Sequence, residues 1–454
     1  MSFERAMSLV ECDHHFPTDP GEFHNQRTAE LFRETGLAEA LLGVPLVVVT
    51  GSCGKASTAR YLAECASELF AITGLDKAVG LGTKPPLFET LDGNRERYQI
   101  LQGGEARWID PEDFAEVVGQ LPELGENLAP YDLRYWILGQ WFVKNRVGLG
   151  IVEANIGFRR DPAAVFPDPV AQLLTPIGLD HVGMLLPEGA PESVLALGER
   201  AGPTWHKACA LDPSRLVVSG YQDADIDRVV KEFHPEALTA GRDFSCQVIE
   251  ESLERTRALL NLGGEEIEVE LQTMGRHQAE NAAQAACCLW ALWQRGVLLG
   301  QKSQVLQAIT VGLGRTLIPG RMERLSSDPV VVLNAATGVI KIDGMMTTLE
   351  AILEPGQTVW VCMSVLDRLV KDGIPKWLDT CLHRILNSPV VIGFTATAFE
   401  DDLQAETLSR WASERTERVE VDHQLDPRAN LRRLKDRADL IVLVGQSQAE
   451  LRGV

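Results

Sequence analysis

A membrane-spanning run is missing from this sequence. Ala40–Gly54 is uncharged for 15 residues but is interrupted by Gly43, Pro45, Gly51 and Gly54, and Asn281–Gln294 is uncharged for only 14. Both are too short to cross a bilayer as a helix. Met1–His15 has no basic start followed by an apolar core, so no secretory signal is read there. Cysteine pairing signals are absent too: the nine cysteines are odd in number, scattered, and never spaced C-x-x-C. A reduced, cytoplasmic compartment is expected. Basic charge is scarce, with 43 Lys and Arg against 64 Asp and Glu and a formal charge of −21. That balance repels phosphate backbones and anionic lipid, so no nucleic-acid or membrane partner is expected. A small anion is not excluded, because a few local cations and backbone amides suffice to bind one. Repeats, low-complexity tracts and Pro/Ser-rich linkers are also lacking.

What is present points to a packed globular chain: 454 residues, 45% hydrophobic and 24% charged, long enough for more than one core. Short aliphatic runs alternate with amphipathic segments, the pattern of α/β domains with parallel sheets. Strands are expected at 46–50 (LVVVT), 147–157, 170–178 and 215–220, with a helix over 56–70. A Gly-Gly turn inside 257–272 predicts a β-hairpin, and an Ala-rich helix follows over 277–296. The alternation restarts after Pro319, with strands expected in 329–338, 358–364, 389–396 and 439–445. A boundary near Pro319 divides the chain into 1–318 and a smaller open-sheet α/β unit over 319–454.

The strongest local signal is the run VVVT-GSCGKAS-TARYLAE. A buried strand enters a turn of Gly51, Ser52, Cys53 and Gly54, then Lys55, Ala56, Ser57 and Thr58 open a helix. Glycines let backbone amides face an anion, the helix N-terminus adds its dipole, and Lys55 supplies a point charge for outer phosphates. Ser57 or Thr58 offers a hydroxyl to Mg²⁺. The spacing departs from G-x-x-x-x-G-K-[ST], with Val49 in place of the first glycine and Ala56 after the lysine.

The form G-x-x-G-K-x-[ST] after a valine strand resembles that of the Mur ligase superfamily, which includes folylpolyglutamate synthases. Further segments are similar in order along the chain: IVEANIGFRRD at 151–161, TPIGLDHVGML at 175–185, GRHQAENAAQA at 275–285 and PGRMERL at 319–325. The resemblance implies a P-loop ATPase domain built on a parallel sheet, followed by a Rossmann-like domain. It implies Glu153 bridging magnesium, His181 on a second Mg²⁺, Asn281 on the adenine and Arg321 toward the outer phosphate. The activity implied is ADP-forming ligation of a carboxylate acceptor, a small molecule or peptide, to an amino-acid amine such as glutamate's, with ATP and Mg²⁺. Taken singly, Glu153 also reads as a strand-end surface acid, His181 as a satisfied helix-start histidine beside a capping Asp180, and Asn281 as an ordinary helix residue.

Three departures bear on function. Where the family has a carbamylated lysine in a K-A-G triplet, this chain has Arg200-Ala201-Gly202. A guanidinium stays protonated and forms no carbamate, so Arg200 is expected either on phosphate or in a surface salt bridge. Where the family has D-g-A-H-N-P, the chain reads from Asn334 to Val339 with Thr337 and Gly338 in place of His and Asn. Asn334 retains a side chain able to bond the ribose. At the family's S-P-H-L loop the chain reads Thr83-Lys84-Pro85-Pro86-Leu87, leaving Thr83 as the metal-linked hydroxyl. Rival readings are a non-catalytic nucleotide-binding homologue and a P-loop phosphotransferase. Cys12, His14, His15 and His24 do not complete a zinc spacing.

Overall fold

The computed structural model describes residues 1–11, 25–84, 93–121, 129–335, 338–365, 374–398, 403–424 and 427–445. Cys12, His14, His15, His24, Pro85, Pro86, Leu87, Ala336 and Thr337 lie outside the described residues. Strand β1 (Leu46–Thr50) is buried along its whole length because its side chains feed two cores. Val47 and Val49 enter one, Leu46 and Val48 the other. No position in such a strand faces water, which is why the run is aliphatic. Each side chain so buried contributes about 1.5–3 kcal/mol.

Around β1 lie β2 (Val79–Gly82), β3 (Tyr98–Gln102), β4 (Glu105–Trp108), β5 (Leu149–Glu153), β6 (Ala171–Leu174), β7 (Leu216–Ser219) and β8 (Leu238–Thr239). The sheet order is β4-β3-β2-β5-β1-β6-β7-β8. β2, β5, β1, β6, β7 and β8 are parallel, and β3 and β4 add an antiparallel edge. The carboxyl ends of β1, β5 and β6 therefore open on one rim, the place where ligands bind in open α/β sheets.

The helices Lys55–Ile72, Arg276–Gln294 and Lys302–Arg315 share the core on one face with the three-stranded antiparallel sheet β9 (Phe244–Glu251), β10 (Thr256–Leu262) and β11 (Glu265–Leu271). The expected hairpin is β10–β11, turning at Gly263 and Gly264. Helix Arg276–Gln294 has 14 of its 19 residues buried, which its many alanines permit by letting neighbours approach closely. Helix Pro130–Lys144 covers the opposite face with Tyr135, Trp136 and Trp141.

The second sheet contains β12 (Glu323–Ser327), β13 (Val330–Asn334), β14 (Val359–Met363), β15 (Val391–Ala396), β16 (Glu420–His423) and β17 (Leu440–Val444) in the order β12-β13-β17-β14-β15-β16. Only β12 is antiparallel to its neighbour. Helix Val339–Ile352 packs on this sheet through Met345, Met346 and Leu349. Its first turn also meets the large sheet's rim, where a Cβ on Gly178 would stand 1.8 Å from Ile340 Cδ1. Among the described residues, no helix is long and apolar enough to cross a membrane.

Candidate active site

The phosphate loop leaves the end of β1 and is shaped by two glycines. Gly51 has φ 136° and Gly54 φ 83°; a Cβ on the first would stand 2.1 Å from Thr175 Oγ1, and on the second 2.3 Å from Asn281 Oδ1. Helix Lys55–Ile72 starts directly afterwards, its first turn closed by Thr58 N–H to Gly54 O at 2.8 Å. The amides of Lys55, Ala56 and Ser57 therefore lead the helix without intrahelical acceptors, and no side chain caps them. This is the geometry that binds an anion. The amides of Ser52 and Cys53 are engaged elsewhere, donating to Pro176 O at 2.9 and 3.3 Å. The anion-facing amides are thus the helical ones rather than the whole turn.

Lys55 folds over the loop and donates from Nζ to Gly51 O at 2.9 Å. Thr58 points to Asn281 Oδ1 at 3.5 Å, so of the two hydroxyls Ser57 is the one not directed beneath the loop. Asn281 is buried and touches Gly54 and Thr58, bracing the loop from the Ala-rich helix. Glu153 ends β5 beside β1 and accepts from the backbone N–H of Lys84 at 2.9 Å. Burial raises its carboxyl, while Lys55, Lys84 and Arg321 draw it back down. Enclosure pushes the Lys84 amine down to about 7, helped by the charge of Lys55. Thr83 sits one residue earlier, its hydroxyl accepting from Gln99 Nε2 at 3.4 Å.

His181 follows β6 in a turn, not at a helix start, and is held at φ 51°. That left-handed conformation costs a non-glycine about 1–2 kcal/mol and is retained here by two hydrogen bonds, Met184 N–H and Leu185 N–H to His181 O, at 2.9 Å each. The residue is exposed by surface area. Crowding by its neighbours lowers the imidazole to about 4, with Asp180 opposing and Lys207, Lys84 and Lys55 adding to the shift, so it is neutral near pH 7.

Arg321 binds the backbone on both sides of the chain restart, donating to Gly320 O at 3.0 Å and Ala335 O at 2.9 Å. It is close enough to Glu153 for its charge to be felt there. Asn334 is buried at the end of β13, next to Ala335. Arg200 is not brought to the loop: it pairs at the surface with Asp223 and Asp225, the second contact at 3.4 Å. Of its two expected readings, the geometry matches the surface salt bridge.

Two lysines that the motifs did not mark are gathered here. Lys207, 1% exposed, donates to Ser52 Oγ at 2.8 Å and to Asp180 Oδ1 at 2.5 Å. Ser52 Oγ donates to Asp180 Oδ1 at 2.7 Å, so the phosphate loop is tied to the β6 loop by a part-buried triad. Burial lowers Lys207 to about 8 against the pull of Asp180. Lys341, on helix Val339–Ile352, acts electrostatically on Cys53, Lys55 and Asp180. Neither lysine lies in a recognisable spacing; only the tertiary fold unites them with the loop.

The oxygen donors available to a metal are the Glu153 carboxylate, with Thr83 lining the same cleft, and the Ser57 hydroxyl in the first turn of the helix after the phosphate loop. Among the described residues, no group of three or more His, Cys, Asp or Glu side chains forms a metal cage. This set fits Mg²⁺, which takes one or two carboxylates and completes its shell with water and phosphate oxygens.

No family model matches the chain. It is 26% identical over 362 residues to a dihydrofolate synthase/folylpolyglutamate synthase of Mycobacterium tuberculosis, covering 75% of this chain and 69% of that protein. It is 31% identical over 346 residues to a probable bifunctional folylpolyglutamate synthase/dihydropteroate synthase of Halobacterium salinarum, covering 74% of this chain but 38% of that longer protein. The solved structure of Mycobacterium tuberculosis folylpolyglutamate synthase complexed with ADP superposes with a TM-score of 0.74 at 22% identity, covering 100% of this chain and 99% of that one.

Proposed function

We propose that this chain, a folylpolyglutamate synthase-like member of the Mur ligase superfamily, is an ATP-dependent, ADP-forming ligase that joins an amino-acid amine to a carboxylate acceptor. The observation that carries the reading is the convergence of Lys55, Lys207, Lys341 and Arg321 with Glu153 around one helix N-terminus. A triphosphate with its metal matches that charge pattern. Glu153, Ser57, Thr83 and His181 are assigned to magnesium, which supplies positive charge beside the outer phosphates. Asn281 is assigned to the nucleotide side through its contact with Gly54, and Asn334 to the ribose from the end of β13. Residues 1–318 are assigned to the ATP-binding part and 319–454 to the closing part, supported by the separate strand sets of the two large sheets.

In this reading the terminal phosphoryl group of ATP passes to an acceptor carboxylate oxygen, and ADP departs. Lys55 and the helical amides offset the charge that develops on the phosphoryl oxygens. The amine then attacks the acyl carbon, the carbon–oxygen bond to phosphate breaks, and phosphate leaves with the electron pair. Contact of helix Val339–Ile352 with the rim keeps water from competing with the amine. Glutamate is the amine donor we favour, because the relatives are folylpolyglutamate synthases; folate is one acceptor among other carboxylated molecules. The described cysteines are unpaired thiols, in keeping with a cytoplasmic setting.

The test is ADP release with and without added acid and amino acid. Hydroxylamine in place of the amino acid should trap the activated acid as a hydroxamate, and Lys55→Ala should abolish both signals with an unchanged thermal melt. Stoichiometric AMP release rules the mechanism out. Nucleotide binding without turnover over a broad panel of acids and amines supports a non-catalytic homologue instead, a reading favoured only by Arg200 and the altered segment after Asn334.

A further inference from the structure

Phosphate-loop enzymes hold magnesium between a hydroxyl of the loop and an aspartate from the end of a nearby strand. The same two oxygens stand side by side here. Ser52 Oγ, in the turn after β1, lies 2.7 Å from Asp180 Oδ1, in the loop after β6. Ser52 Oγ also accepts from Gly178 N–H at 2.9 Å, which fixes it toward that loop. The Asp180 side chain is 27% exposed, so a dissolved cation can reach the pair. What sits on it is an ammonium. Lys207, the last residue of helix Ala201–Lys207, donates from Nζ to Asp180 Oδ1 at 2.5 Å and to Ser52 Oγ at 2.8 Å.

Joining two loops does not call for a charge, since neutral hydrogen-bonding groups would do it without the cost of burying one. The ammonium is nonetheless retained at 1% exposure, and its field reaches beyond the triad. Burial would raise the Asp180 carboxyl, but Lys207 first, then His181 and Lys55, bring it down to about 2, so it stays ionised. Lys207 acts on His181 and on Cys53 of the loop as well. Lys84 and Asp161 offset one another. That leaves the cations Lys55, Lys207, Lys341 and Arg321 facing the carboxylates of Glu153 and Asp180, an excess of two positive charges. A nucleoside triphosphate with one magnesium carries about two negative charges and balances that excess. A second divalent ion would leave about two positive charges uncompensated in an enclosed site.

We propose that Lys207 is a resident cation seated where a metal ion would otherwise bind, so that this chain takes up one divalent cation with its nucleotide. The donors assigned to magnesium above then serve a single ion, and the second magnesium implied by the resemblance has no place on the Ser52–Asp180 pair. The helix that delivers the charge is flanked by two basic residues with opposite fates. Arg200, just before it, turns outward to Asp223 and Asp225, and Lys207 at its end turns inward. The inference rests on nucleotide binding at the loop and not on the ligation that follows.

Manganese is the probe, because its unpaired electrons report it directly. The full chain is saturated with a non-hydrolysable ATP analogue and titrated with Mn²⁺, with free ion read by electron paramagnetic resonance and nucleotide occupancy by calorimetry. Wild type should bind one Mn²⁺ per nucleotide-bound chain. Lys207→Ala should bind two, each broadening the other's resonance, because the vacated space leaves a carboxylate, a hydroxyl and phosphate oxygens for a second ion. Lys207→Ser serves as the second variant should Lys207→Ala melt early. Combining Asp180→Asn with Lys207→Met should return the count to one. Two Mn²⁺ in wild type overturn the proposal and leave nucleotide binding standing, as does a count of one in wild type and in both neutral variants. A second ion that persists in the Asp180→Asn, Lys207→Met chain lies elsewhere and overturns it too. Nucleotide that fails to bind at all overturns the phosphate-loop reading, and the proposal with it.

Discussion

Asp180, Ser52 and Lys207 form a mutually bonded polar triad at the site, with the Lys207 end fully enclosed. An ammonium that is 1% exposed tolerates enclosure only because the aspartate and the hydroxyl take its hydrogens. Asp180→Asn should therefore cost about 3–5 kcal/mol, the usual penalty for stranding one member of a buried pair. Lys207→Met in the same chain should recover most of it, since two neutral groups no longer need each other. Urea titrations of the single and double variants check this; equal stability of the two would show that Lys207 does not depend on Asp180. The site was legible in part at this scale. Lys55 announces itself by the glycines and strand before it, and Glu153 by the strand it ends. Lys207 does not, because the partner that gives it meaning lies 27 residues earlier in sequence and reaches it only through the fold. Arg200 shows the opposite case, a position marked by its triplet whose side chain is spent on surface aspartates.

The elements read most readily are those whose burial is uniform. β1 and β14 are aliphatic from end to end because both faces are covered, and their runs stand out in the sequence. β4 has all four residues exposed, and β9 is mostly half-buried, so neither carries a periodic apolar signal. The hairpin of β10 and β11 was legible, but its third strand was not. Helix Arg276–Gln294 owes its position to small side chains: Ala282, Ala283, Ala285 and Ala286 are all fully buried in the main core. Ala283→Leu should overpack that core and destabilise the protein by about 1–3 kcal/mol. Because Asn281 lies half a turn away and braces Gly54, nucleotide affinity should fall along with stability. Thermal melts with and without ATP measure both; a neutral melt would mean that the helix has room the structure does not show.

At the scale of the whole molecule, the restart after Pro319 made a second α/β unit legible, but not which of its residues would reach the first. Lys341 does so electrostatically, and Thr348 does so by contact, with Oγ1 3.4 Å from His277 Nδ1. The Thr348 hydroxyl also donates to Gly344 O at 2.9 Å. Burial lowers His277 to about 4, below the 6.5 of an unfolded histidine. The unfolded chain therefore binds the extra proton first, and stability falls as pH drops from about 6.5 to about 4 and is unaffected above that window. His277→Gln should flatten this part of the stability–pH curve, as read from melting temperatures in matched buffers; parallel curves would remove His277 from the linkage. Lys341→Gln should leave the melt unchanged and weaken ATP binding about tenfold, with a smaller loss for ADP. Equal losses for the two nucleotides would place Lys341 away from the terminal phosphate. The cations gathered at the loop thus belong to both ends of the chain, Lys55 and Lys207 to one and Lys341 to the other. In the ligation cycle proposed above, this would make phosphate count the clock of the molecule: three phosphates would draw the two parts together, and the step that removes the third would also loosen the grip on the products.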